Sequence, residues 1–326
     1  MSKLVTIFGG SGFVGRYIAR RMAQNGWRVR VAVRNTNEAM FVRTYGAVGQ
    51  VEPVFCNIRD DASVAAVTQG ADAVVNCVGV LAELRKNTFA AVQAEGATRI
   101  ARVAAAMGVA RMVQLSAIGA SDTSASAYAR TKAAGEQGVL DHMPHAMILR
   151  PSIIFGAEDQ FFNRFAGMTR LGPVLPVIGA DTQFQPVYVD DVAAAAVKGV
   201  LGEVPGGIYE LGGPDVATFR ELMQTMLAVV RRRRMILNMP FWAARIMAGG
   251  FNILRVVSLG LVTPPVTRDQ VANLAVDNVV SDGAKGFADL GITPTAMMAV
   301  LPDYLWRFRP SGQYDAIKES AKNLRS

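Results

Sequence analysis

Histidine is almost missing from this chain, with only His142 and His145 in 326 residues. Cysteine is as scarce: Cys56 and Cys77, and no Cys-x-x-Cys pair. These absences argue against a zinc site and against a Ser–His–Asp hydrolase. His145 stands just before an apolar run and reads as structural. Both cysteines fall at expected strand ends, as small buried side chains of a reducing compartment rather than a disulfide framework. No uninterrupted apolar stretch reaches the roughly 20 residues of a spanning helix. The first expected strand begins by residue 4, which leaves no room for a signal peptide. Nucleic-acid motifs and basic–aromatic interleaving are absent too. The net charge of +8 therefore points to an anionic membrane surface or an acidic partner before nucleic acid.

What is present is a chain that is 51% hydrophobic, long enough for a large core and one or two domains. It is organised around Thr6-Ile-Phe-Gly-Gly-Ser-Gly-Phe-Val-Gly15. Lys3 to Phe8 suits a buried strand, and Arg16 to Ala23 carries apolar residues at helical spacing. Between them, Gly9 permits the tight turn, Gly12 lets a pyrophosphate approach backbone N–H groups, and Gly15 permits close helix–strand packing. The helix N-terminus adds its positive dipole end. A second strand, Arg28 to Val33, ends at Arg34. An NAD site usually places an acid about 20 residues beyond the glycines to bond the ribose 2′-OH. Here Arg34 stands in that place, Arg16 is a second cation, and the first acid is Glu38. Guanidinium groups suit a 2′-phosphate, so NADPH is expected over NADH.

Further strands are expected at Val51–Phe55, Ala73–Val78, Arg111–Leu115 and Ala146–Leu149, with a long helix from Asn87 to Met107. Strands alternating with helices imply an α/β fold, a doubly wound, Rossmann-like parallel sheet that binds ligands at strand carboxyl ends. Asn57 to Asp60, Gly79 and Ser116 fall at such ends, and Asn57 and Ile58 are candidates to line an adenine pocket. Tyr128-Ala-Arg-Thr-Lys132 places tyrosine and lysine at i and i+4 on one helical face. An ammonium there favours tyrosinate, lowering a phenol pKa of about 10. Such a tyrosine passes a proton to a carbonyl as a hydride moves, with Ser116 polarising the carbonyl.

Gly9 to Gly15, Ser116, Tyr128 to Lys132, Leu149-Arg-Pro-Ser-Ile-Ile-Phe-Gly156 and Val187-Tyr-Val-Asp-Asp-Val192 resemble the extended or atypical branch of the short-chain dehydrogenase/reductase superfamily. The likeness implies a catalytic tyrosine and a lysine that also holds the nicotinamide ribose. Gln93-Ala-Glu-Gly96 departs from that branch, which usually has Asn where Gln93 stands, and this puts a working proton relay in doubt. Closer phrases are Gly12 to Tyr17, Tyr128 to Glu136, Phe155-Gly-Ala-Glu-Asp159, Gln185 to Asp190 and Thr267-Arg-Asp-Gln-Val271. They are similar to the nucleotide-binding accessory subunit of respiratory complex I, the proton-pumping NADH:ubiquinone oxidoreductase. This resemblance implies a non-catalytic subunit among other complex I subunits, holding NADPH structurally on the peripheral arm near the membrane. Its cofactor site would comprise Gly9, Gly12, Phe13, Val14, Gly15, Arg16, Arg34, Asn57, Ile58, Gly79, Tyr128, Lys132 and Pro151. A bacterial version, peripheral on the cytoplasmic face of the inner membrane, is the expected setting. In this reading Ser116, Tyr128 and Lys132 are vestigial. In the alternative they serve an NADPH-dependent reductase, epimerase or dehydratase on a small or quinone-related substrate.

The expected domains are residues 1–155, completed by parts of 180–215, and a smaller C-terminal α/β region, 156–326. Helices are expected at Val192–Leu201 and Phe219–Val230, and a strand at Gly206–Leu211. Arg231-Arg-Arg-Arg234 precedes a stretch to Val262 whose only charges are Arg245 and Arg255. Pro240, Gly249 and Gly250 are expected to break it into short helices. A basic cluster beside an apolar segment marks an interfacial anchor on membrane lipids or a buried protein contact. The polar tail from Phe308 is expected to lie extended across a partner or to be partly disordered.

Overall fold

The computed structural model describes residues 2–84, 86–247, 249, 267–310, 312 and 314. Their core is a seven-stranded, wholly parallel sheet. Its strands are β1 (Leu4–Phe8), β2 (Arg28–Val33), β3 (Val51–Phe55), β4 (Ala73–Asn76), β5 (Arg111–Leu115), β6 (Met147–Pro151) and β11 (Gly207–Leu211). The spatial order is β11-β6-β5-β4-β1-β2-β3. Every residue of β1 and β4 is buried, as a parallel strand covered on both faces requires. Thr6, polar within β1, donates its hydroxyl proton to the Val67 carbonyl at 2.8 Å. The strand order reverses between β1 and β4, so the binding crevice opens at the carboxyl ends of these two strands.

Helices α1 (Phe13–Gln24), α2 (Asp61–Thr68), α3 (Glu95–Ala106), α4 (Ala127–His142) and α6 (Val189–Leu201) accompany this sheet. On α3, Ala97, Ile100, Ala101 and Ala104 form a fully buried stripe that packs with Phe8, Val74, Met112 and Ile148. The long helix expected from Asn87 divides: Ala90–Ala94 has π geometry, and the α-helix starts at Glu95.

The chain forms two compact units. The first gathers residues 1–152, 189–212 and 280–294. The last of these segments is tied to β11: Ser281 N donates to Glu210 Oε2 and Glu210 N to the Lys285 carbonyl, both at 2.8 Å. The second unit gathers 153–188, 213–279 and 295–326. Its core is aromatic, with Phe155, Phe162, Phe184, Phe219 and Tyr304 buried together. Helix α7 (Phe219–Val229) begins with a capping box between Thr218 and Glu221. Buried Asp159 accepts from Tyr304 Oη at 2.5 Å and Asn163 N at 3.0 Å, which pins the helix Met297–Leu305.

One expectation is corrected here. Ile236 to Met239 was expected in a short helix, but Met235–Met239 is a strand, β13, paired in parallel with β8 (Val174–Ile178). A short apolar run carries no period that separates helix from strand, and β8 supplies the hydrogen bonds. Residues 248 and 250–262 of the apolar segment, with the expected break at Gly250, and nearly all of the polar tail lie outside the described residues. Among the described residues no helix is long and apolar enough to cross a membrane.

Candidate functional site

All the residues singled out for cofactor and catalysis lie in the first unit. After β1 the chain turns at Gly9, whose φ of +73° favours glycine. Gly9 N donates to the Ala32 carbonyl, and Gly12 N to that of Gly9, each at 2.9 Å. Gly12 caps α1 with no side chain, and no acid stands in the first turn. The amides of Phe13, Val14 and Gly15 therefore lack intrahelical acceptors and meet no negative charge there. A Cβ on Gly15 would strike the Gly9 carbonyl and come within 2.7 Å of Gly10 Cα, so this glycine serves packing. A Cβ on Gly12 would meet only the Gly9 carbonyl oxygen, at 3.1 Å. The space beyond Gly12 is a cradle that any side chain would fill, and it fits a pyrophosphate.

Arg16 folds back over this turn, donating to Ser11 O at 3.1 Å and Gly12 O at 3.3 Å and stacking on Phe41 at 4.9 Å. Arg34 is exposed past β2 and has no hydrogen-bond or ion-pair partner among the described residues. Glu38 instead accepts from Asn35 Nδ2 at 2.6 Å. Asn57 is half-buried past β3, its Oδ1 accepting from Arg59 N. Ile58 packs on α3 at Gly96.

At the end of β4, Asn76 Nδ2 donates to Gln114 Oε1 at 2.9 Å and Asn76 Oδ1 accepts from Val78 N at 3.0 Å. This fixes the turn into Gly79. A Cβ placed on Gly79 would stand 3.5 Å from Lys132 Nζ. Lys132 is buried, donates to the Leu115 carbonyl at 3.2 Å, and lies 5.8 Å from the centre of the Tyr128 ring. Burial draws its pKa down to about 8, against the opposing pull of Glu136 and Cys77. Burial pushes the Cys77 thiol up to about 12, so it is no thiolate nucleophile. Tyr128 is half-buried and meets the Phe89 ring edge-on at 5.9 Å. Gly79, Tyr128 and Lys132 thus converge. Pro151, at the end of β6, is buried with its carbonyl accepting from Ile118 N at 3.0 Å.

Ser116 follows β5 directly. It is buried and donates its hydroxyl proton to Glu136. Arg150 grips the same carboxylate, Nη2 to Oε2 at 2.6 Å and Nε to Oε1 at 3.0 Å, and reaches Glu210 at 3.6 Å. A serine with its one proton committed to a carboxylate has none to give a substrate carbonyl. Gln93 is also engaged, donating to Val80 O at 2.8 Å and accepting from Thr131 Oγ1 at 3.1 Å. Glu136, Arg150 and Glu210 were not among the residues read from the sequence. The available signal was Arg150 itself, a charge in an otherwise apolar strand, which demands a buried partner. Among the described residues no cluster of three His, Cys, Asp or Glu side chains could hold a metal ion.

Comparison with known proteins agrees with this architecture. Residues 5–212 match the model of the NAD dependent epimerase/dehydratase family. The chain is 36% identical over 316 residues to the mitochondrial NADH dehydrogenase (ubiquinone) 1 alpha subcomplex subunit 9 of Arabidopsis thaliana, covering 95% of this chain and 79% of that protein. It is 31% identical over 239 residues to a ceramide reductase of Caulobacter vibrioides, covering 73% of this chain and 74% of that one. The crystal structure of gox2253 superposes with a TM-score of 0.70 at 21% identity, over 96% of this chain and 99% of that one. The expectation of a bacterial inner-membrane protein is corrected: relatives matched over nearly the whole chain are mitochondrial.

Proposed function

The chain belongs to the NAD dependent epimerase/dehydratase family and, within it, to the group of the complex I alpha subcomplex subunit 9, and on that premise we propose that it is a non-catalytic accessory subunit of proton-pumping NADH:ubiquinone oxidoreductase. It holds NADPH structurally and stabilises the peripheral arm near the membrane, in contact with other subunits of the complex. The observation that carries the non-catalytic reading is the Ser116 hydroxyl, committed to Glu136 and locked there by Arg150. NADPH over NADH is supported by Arg34, just past β2, and Arg16, in the first turn of α1, with Glu38 turned to Asn35.

A bound nicotinamide would supply hydride chemistry; the residues around it are assigned binding roles. The Phe13, Val14 and Gly15 amides hold the pyrophosphate, Arg34 and Arg16 the 2′-phosphate, and Asn57 and Ile58 line the adenine. Lys132, beside Gly79, holds the nicotinamide ribose. Native-gel separation of solubilised membranes, with nucleotide analysis of the band, tests the proposal. Comigration with complex I subunits and stoichiometric NADPH that survives added carbonyl substrates is the expected result. A free protein whose NADPH exchanges and is consumed overturns it.

A second reading is an active NADPH-dependent reductase on a lipophilic substrate. The Tyr128–Lys132 geometry favours it, as does the likeness to a ceramide reductase. Tyr128→Phe separates the two. Turnover of the complex near wild type at normal assembly supports the subunit, and a large loss supports the enzyme.

A further inference from the structure

An open groove of about 340 Å³ runs along one face of α7, from Arg220 to Leu227, and the chain that follows it in the second unit. Arg220, Arg232, Arg233 and Arg234 line it, over Gln224, Leu227 and Ile236, and among the described residues no Asp or Glu does. Arg220 and Arg233 have no side-chain partner among the described residues. Arg232 Nε donates to Phe308 O and Arg234 Nε to Thr169 O, both at 2.9 Å. Those acceptors are neutral, so they fix the two stems and leave the charge unbalanced. Burial lowers the Arg232 pKa, and the neighbouring charges of Arg234 and Arg170 add to it. Four guanidinium groups held together with no carboxylate among the described residues of the lining make a site for an anion of several oxygens.

The chain on either side is apolar and exposed. Leu171 is 88%, Met235 62% and Leu237 51% exposed, and Trp242 follows at 67%. Met235 and Leu237 lie on β13, whose pairing to β8 holds them in a regular edge beside the arginines. An acidic protein segment would use the cations and leave this rim unexplained. A lipid surface uses both, because phosphates sit directly above an apolar boundary.

We propose that this groove docks the chain on an anionic phospholipid surface, its arginines taking headgroup phosphates while Leu171, Met235, Leu237 and Trp242 enter the headgroup–acyl boundary. Guanidinium forks match phosphate oxygens bidentately. The inference rests on the membrane-proximal reading above, but its test does not require assembly.

The test is cosedimentation of the purified full chain with vesicles of phosphatidylcholine alone or mixed with phosphatidylglycerol. Wild type is expected to prefer the mixed vesicles. Arg220→Gln/Arg233→Gln is expected to weaken binding roughly fivefold for each arginine, the worth of one basic residue near such a surface. The same change at Arg43, an exposed arginine of the first unit, is expected to leave binding intact. Trp242→Ser is expected to make the remaining binding fully reversible by high salt. Equal binding to both vesicle types, or no effect of the double substitution, overturns the proposal. So does binding of inorganic phosphate at these arginines with no vesicle binding. Comigration with complex I without vesicle binding would sink the groove and leave the subunit reading standing; vesicle binding without comigration would do the reverse.

Discussion

Lys132 carries its charge where burial opposes it, and this gives stability a pH dependence of known sign. Its pKa is about 8 in the fold against 10.5 in the unfolded chain. Between those values the unfolded state binds more protons, so unfolding free energy rises with pH. The burial penalty is fully present below about pH 8 and is relieved as pH approaches 10.5. Its size is on the order of 3 kcal/mol. Lys132→Met is therefore expected to be more stable than wild type at pH 7, with the difference shrinking towards pH 10.5. Denaturant titrations of both chains at the two pH values check this, and a difference that grows with pH would refute the assignment. Arg34 bears on the same site. Arg34→Asp removes a charge-assisted contact worth about 1.5–3 kcal/mol, so the Kd for NADPH is expected to rise roughly 10- to 100-fold, while that for NADH does not rise because the new acid can accept from the ribose 2′-OH. Equal affinity of wild type for the two nucleotides would remove the basis for NADPH.

The pairing of α4 with β6 depends on a buried charge network that neither element announces alone. Glu136 lies one turn beyond Lys132 on α4, and Arg150 is the fourth residue of β6. Removing Glu136 leaves Arg150, among the described residues, only its 3.6 Å contact to Glu210, and breaking a buried pair in this way costs about 3–5 kcal/mol. Glu136→Ala is expected to fall in that range by chemical denaturation. Glu136→Leu/Arg150→Met, which among the described residues leaves buried Glu210 only its bond from Ser281 N, is expected to recover part of the loss; a double variant as unstable as the sum would refute the coupling. The β1-to-β6 pattern was legible in the sequence because buried parallel strands are near-continuous apolar runs set between helical periods. The glycine turn was legible because its spacing is dictated by close backbone approach. The partner of Ser116 was not, since it depends on how α4 is rotated above β5, and no local periodicity encodes that. Strand β13 failed for the same reason, because its identity is conferred by β8.

At the scale of the whole molecule, the expected cofactor residues sit in one unit and the arginine groove in the other. Composition carried the excess of positive charge but could not say where it gathers. The setting was misjudged because no stretch of a folded sequence states its compartment, and the relatives correct it. A ligand that binds only the folded state stabilises by mass action, and at 1,000 times its Kd the gain is about 4 kcal/mol. That gain is physical reason enough for a complex to keep a nucleotide it never oxidises. Because every proposed contact lies in the first unit, saturating NADPH is expected to slow hydrogen exchange there. The protected peptides should cover β1 to α1, the end of β2, the turn after β4 and the first half of α4. Residues 213–247 should exchange at unchanged rates. The Gly12→Ala chain should fold with near wild-type exchange but show no protection, since its methyl meets only one carbonyl and occupies the phosphate cradle. Protection spread evenly over both units, or retained in Gly12→Ala, would mean that the nucleotide is held elsewhere than at the glycine turn.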